Sequence, residues 1–194
     1  HHFTQPNYSR GPTWVASGAS SGISVEQQLD EAAALAPAAD ASSVPFYYRH
    51  DVSCGPVGIT SSAAKAAATR AFVRAAAARN LTVLPILFPG ADAAASTTAC
   101  AKLFIDEGIR VFEIGQEWDN EALLPGRGGD KIADYNQTVY QHLLITLSGM
   151  SKGVRAAAAA AGTKVQVGVN NGGWLHYAWF EMLLRDQLDF DFVG

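Results

Sequence analysis

The feature that most narrows the fold is a strict alternation along the chain. Short apolar, β-branched runs at 13–17, 44–48, 82–88, 110–114, 164–169 and 190–193 take turns with stretches of helical periodicity at 25–39, 61–79, 92–107, 131–161 and 175–186. Strands separated by helices need crossover connections and lie parallel in one sheet, so the pattern predicts an α/β fold and excludes a sandwich. Ser24 followed by Gln27 has the form of a capping box for the first helix. The alanine runs at 75–78 and 156–161 fall inside helical stretches and suit them, alanine being the best helix former. In the fourth helix a break is expected near Gly149.

Two architectures accept this rhythm. One is a doubly wound sheet with a nucleotide at its switch point; the other is an eight-unit (β/α) TIM-type barrel with its site at the carboxyl ends of the strands. Eight units of about 35 residues need about 280, and the 194 residues contain six strand patterns. The barrel reading therefore makes residues 1–194 one partial barrel domain of about six units. It expects a further segment or a second chain to complete the barrel and cover the open strand edges.

Composition removes several function classes. Eighteen acidic residues against fourteen basic ones give a net charge of −4, with no basic run, so neither a nucleic acid nor an anionic membrane is expected as a partner. No stretch reaches the length of apolar residues that spans a bilayer, and the first residues lack the order of a signal peptide. A hydrophobic content of 48% supports a packed core. His50, His142 and His176 are scattered, His1 and His2 have the look of a tag remnant, and neither C-x-x-C nor H-E-x-x-H occurs, so no metal is expected. No G-x-S-x-G elbow and no phosphate-cradling lysine loop is present. Cys54 and Cys100 form either one disulfide or two small buried thiols. Three of the six asparagines, Asn7, Asn80 and Asn136, head glycosylation sequons, which points to a secreted, extracellular glycoprotein.

The chemistry concentrates in residues 110–120, RVFEIGQEWDN. Period-two alternation puts Val111, Glu113, Gly115 and Glu117 on one face, with Glu117 where strand gives way to loop. A buried Glu113 needs a cation or a hydrogen-bond donor, and Arg49, read as the end of the second strand in YYRHD, is the candidate. His50 and Asp51 follow it at the rim. Trp118 and Trp174 offer flat apolar faces suited either to a sugar ring or to the core. Asn170 and Asn171 offer amides for hydroxyl groups, or a turn driven by Asn-Asn-Gly-Gly.

On these residues the chain resembles a known group of enzymes. FEIGQE is similar to the strand-four signature of clan A retaining glycoside hydrolases, family 39 and its relatives in particular, and the closing DFDFVG looks like their sixth strand. The resemblance implies that Glu117 is the general acid/base and Glu113 a supporting buried carboxylate, and Arg49 matches the arginine at the end of the family's second strand. Arg49, Gln116, Trp118, Asn170 and Trp174 are then the expected substrate-binding residues for an oligosaccharide or glycoside. It implies no cofactor. The family has Asn where this chain has Gln116, one methylene longer, and its nucleophile stands at the end of strand seven, after the six strand patterns present.

A competing pattern is SGASSGIS at 17–24, similar to the glycine-rich turn of NAD(P)-dependent short-chain dehydrogenases, with VNNGG at 169–173 resembling their N-N-A-G. None of Tyr8, Tyr47, Tyr48, Tyr135, Tyr140 and Tyr177 has a lysine four residues later, as that chemistry requires. A non-catalytic carbohydrate-binding barrel is the third expectation.

Overall fold

The computed structural model describes residues 24–36 and 46–194. The strand expected at 13–17, the sequon at Asn7 and SGASSGIS up to its last serine lie outside the described residues.

Most of the helices begin at a side chain that satisfies their first free N–H groups. Helix α1, Val25–Leu35, opens on the expected capping box: Ser24 Oγ accepts from Gln27 N at 3.1 Å, and Gln27 Oε1 accepts from Ser24 N at 2.8 Å. After strand β1, Tyr47–Ser53, Ser62 caps α2, Ala63–Ala77. Strand β2, Thr82–Phe88, follows, and Asp92 caps α3, Ala93–Asp106. Strand β3, Val111–Ile114, runs into the one-turn helix α4, Asp119–Ala122. The PGRGGD loop and a 3₁₀ turn at Ile132–Asp134 lead to Asn136, the cap of α5, Gln137–Ala160. Strand β4, Gln166–Val169, helix α6, Tyr177–Arg185, and strand β5, Phe192–Val193, close the chain.

The five strands form one parallel sheet in the order β1-β2-β3-β4-β5. This is the expected mixed α/β fold. The order never reverses, so among the described strands there is no switch point of the doubly wound kind. Right-handed crossovers in unreversed order place every connecting helix on the same face. The side chains obey that rule. The row Val52–Leu87–Ile114–Val169–Val193 is apolar throughout, and the strand residues on its face meet helices: Tyr48 meets Phe72 of α2 edge-on, His50 lies tilted against the same ring, and Phe112 meets Phe104 of α3 edge-on. The opposite row reads Asp51–Ile86–Glu113–Gly168–Phe192 and carries the charged groups.

Three expectations need correction. Strand β1 does not end at Tyr48 but runs on to Ser53, which puts Arg49 within the strand rather than at its end. Its charged residues Arg49 and Asp51 point to the face opposite the one that meets Phe72, whereas the apolar run alone ends before them. Helix α5 has no break at Gly149. Its glycines serve close packing instead: a Cβ on Gly153 would lie 2.2 Å from Thr97 Oγ1 and 2.5 Å from Ala94 O, and one on Gly149 3.1 Å from Ala93 Cβ. Thr97 and Thr98 use the close approach to donate hydrogen bonds to Met150 O and Gly153 O of α5. Last, the two-fold alternation from Val111 stops at Ile114. Gly115 and Glu117 take positive φ angles of 71° and 51°, so residue parity no longer predicts which face they share.

Cys54, just past β1, and Cys100 in α3 are joined by a disulfide across 46 residues, with Cα atoms 5.8 Å apart. That resolves the alternative left open by their spacing.

Candidate active site

On the face of the sheet opposite those helices, Arg49 from within β1 meets groups at the carboxyl ends of β3 and β4 in a compact polar network. Glu113 is 1% exposed, and Arg49 Nη2 donates to its Oε1 at 2.5 Å. Asn170 Nδ2, just beyond β4, donates to the same oxygen at 2.5 Å. The same two donors also reach Gln116 Oε1, Arg49 at 2.9 Å and Asn170 at 2.8 Å. Gln116 Nε2 donates to Glu117 Oε1 at 3.0 Å, and Glu117 N donates to Asn170 Oδ1 at 2.7 Å. Burial pushes the Glu113 carboxyl above its usual range; the guanidinium of Arg49 opposes that shift without cancelling it.

The sequence-derived candidates thus part into distinct roles. Arg49, Gln116, Glu117 and Asn170 are brought together, with Glu113 beneath them. Asn170 is buried and its amide is fully engaged, so it clamps the strand ends and does not present a free group to a ligand. Gln116 turns its carbonyl inward to Arg49 and Asn170; the extra methylene gives it that reach. Glu117 is exposed at the mouth of the network. It is not roofed by Trp118, which lies against the core next to Gly115. Trp174 stands away from the core, fully exposed. His50 is buried against Phe72 on the helix face and takes no part in the site; burial lowers its imidazole pKa to about 4.

One constellation has no signal in the sequence. Asp119, fully buried at the start of α4, accepts from Gly172 N at 2.8 Å and pairs with His176 Nδ1. The partners are 57 residues apart, and although Asp119 lies within RVFEIGQEWDN nothing in the sequence pairs it with His176. Behind them, Tyr135 donates its hydroxyl to Gly129 O, and Gly129 N donates to Asp134 Oδ2. The loop after β3 and the loop after β4 are therefore tied together beside Glu117.

No group of three or more metal-ligating side chains occurs among the described residues. No helix there is long and apolar enough to cross a membrane. Comparison of the chain with protein-family models, curated proteins and solved structures finds no match. What bears on function is the geometry of the site together with the resemblance of FEIGQE.

Proposed function

We propose that the protein is a retaining glycoside hydrolase on a (β/α) barrel scaffold, with Glu117 as general acid/base. The observation that carries this reading is the network of Arg49, Glu113, Gln116 and Asn170 directly beneath an exposed Glu117, where β3 and β4 give way to their loops in a parallel sheet whose described strands never reverse order. In barrel enzymes the reacting groups stand at that end of the strands. A buried carboxylate held by a cation and an amide fixes the floor, and the carboxylate that does the chemistry stays accessible to substrate.

In the mechanism, Glu117 protonates the departing glycosidic oxygen while a second carboxylate, about 5 to 5.5 Å away, attacks the anomeric carbon; Glu117 then deprotonates the water that releases the sugar. In the enzymes that FEIGQE resembles, the attacking carboxylate stands at the end of strand seven. The substrate is an oligosaccharide or glycoside, and the reaction needs no cofactor. The Cys54–Cys100 disulfide and the exposed sequon residues Asn80 and Asn136 favour an extracellular location.

The test is Glu117→Gln. It preserves shape and removes the proton, so glycosides with poor leaving groups lose about 10² to 10⁴-fold in rate, while activated aryl glycosides lose far less in their first step. Added azide restores turnover of the aryl glycosides and yields a glycosyl azide of retained configuration. An active wild type whose rate on natural glycosides is unchanged by Glu117→Gln removes Glu117 from this role. A wild type that binds oligosaccharides and turns over none is a carbohydrate-binding barrel.

A further inference from the structure

Beyond Asn170 the chain builds an aromatic groove that the catalytic proposal leaves unused. Asn171, Gly172, Gly173, Trp174, Tyr177 and Phe180 line a shallow, open groove of about 430 Å³. Trp174 is fully exposed and Tyr177 half exposed. A solvated indole normally marks a surface awaiting a partner when it belongs to a contiguous apolar patch, and here three aromatic rings share one groove.

The groove is rigidly held. At one end of its loop, Asn170 bonds Glu113, Gln116 and Glu117 N. At the other, Asp119 holds both Gly172 N and the ring of His176. Side chains pack against the intervening backbone so closely that a Cβ on Gly172 would lie 1.9 Å from Asn120 Nδ2, and one on Gly173 would lie 2.6 Å from the His176 ring. Trp174 therefore projects from a fixed loop, and little ordering entropy is lost when something docks on it.

The lining also specifies the chemistry of the occupant. It contains no charged side chain, which disfavours phosphate, carboxylate or ammonium ligands. Flat apolar rings alternate with the amide of Asn171 and the open backbone of two glycines. A neutral pyranose has the matching surface, with axial C–H groups for the rings and hydroxyls for amide and backbone. Asn171 directly follows Asn170, which accepts from Glu117 N, so the groove begins one residue along the chain from the group that fixes the proposed acid/base.

We propose that this groove is a sugar-binding subsite for a neutral unit of an oligosaccharide, adjoining the position at which Glu117 acts and held in shape by the Asp119–His176 pair. This rests on the glycosidase reading and extends it: the preferred substrates are oligosaccharides or polysaccharides, not glycosides of a single sugar.

The test uses an array of defined neutral oligosaccharides of two to six residues alongside aryl glycosides of single sugars, on the wild type, Trp174→Ala and Tyr177→Ala. Both positions are exposed enough for the variants to fold, which matching circular dichroism verifies. The expected result is that each variant lowers the ratio of kcat/KM on the longer oligosaccharides to that on the aryl glycosides about tenfold. In the wild type, oligosaccharide binding shifts tryptophan emission to the blue, and Trp174→Ala abolishes the shift. A ratio unchanged in both variants, on an enzyme that hydrolyses both substrate types, overturns the subsite and leaves the glycosidase reading standing. Oligosaccharide binding that depends on Trp174 with no turnover of any glycoside upholds the subsite and overturns the glycosidase. The absence of any oligosaccharide binding overturns the subsite, and so does a groove that takes a polypeptide in place of a sugar.

Discussion

Replacing Arg49 by Met keeps most of the side-chain volume and removes the cation that faces Glu113. Glu113 is 1% exposed and keeps one direct donor, Asn170 Nδ2. Breaking a buried ion pair from one side costs about 3–5 kcal/mol, because the remaining charge is left uncompensated. That cost exists only while Glu113 is ionised. Its carboxyl already sits above the ordinary value in the native state because of burial, so folding favours its protonated form. The stability this contributes is fully present below the unfolded-state value and is lost as pH rises through the native one. Removing Arg49 raises the native value further and steepens the loss. The expected penalty of Arg49→Met is about 3–5 kcal/mol at pH 8 and falls to about 1–2 kcal/mol near pH 4.5, where only a neutral hydrogen bond is missing. Urea unfolding followed by tryptophan fluorescence at several pH values measures it, and His50, titrating alike in both proteins, cancels from the difference. Adding Glu113→Gln to Arg49→Met should flatten the pH dependence and recover part of the stability. A penalty that stays constant from pH 4.5 to 8 refutes this reasoning, since the cation would then matter for packing alone.

Three further outcomes are expected. His50, whose pKa is lowered by burial to about 4, favours folding while neutral; stability is complete above its unfolded value of 6.5 and drops by about 3 kcal/mol as pH falls towards 4, and His50→Leu removes that slope in acid unfolding curves. Cys54→Ala with Cys100→Ala opens a 46-residue loop and costs about 4 kcal/mol by chain entropy, read as a lower urea midpoint than the oxidised protein. Gly153→Ala forces a methyl group to within 2.5 Å of backbone oxygen on α3 and costs about 1–3 kcal/mol in thermal unfolding, whereas Ala156→Gly on the exposed side of the same helix costs about 1 kcal/mol.

How far the sequence can be read follows from the range of the forces involved. Strand β2 is legible at both ends because it is buried nearly throughout, so burial and apolar character coincide over 82–88. The capping box at Ser24 is legible because its two bonds close within one turn. Strand β1 is not, because one of its faces carries charged residues that are partly buried, and charge there says nothing about where extended backbone stops. Gly149 looks like a helix breaker because glycine lowers helix propensity; the gain from bringing α3 within contact distance of α5 is a tertiary effect that no local scale contains. Within the site, the need of a buried carboxylate for a cation is enough to pair Glu113 with Arg49, as the structure does. Glu117 is placed on the strand face by a period that ends at Gly115, where a left-handed backbone turn intervenes. Asp119 and His176 leave no trace in the sequence because only the folded chain brings them together.

The unreversed strand order has a kinetic corollary. Every strand of the described sheet pairs with the next one made, so each βα unit finds its template already in place when it leaves the ribosome, and no early strand must wait for a late one. Sheet growth can then proceed one unit at a time, and the Cys54–Cys100 crosslink can close as soon as α3 docks, before the residues of β3, α4 and all that follows are needed. The crosslink thus involves only residues made before β3, whereas the network around Glu117 needs Asn170 from the loop after β4 and can form only later.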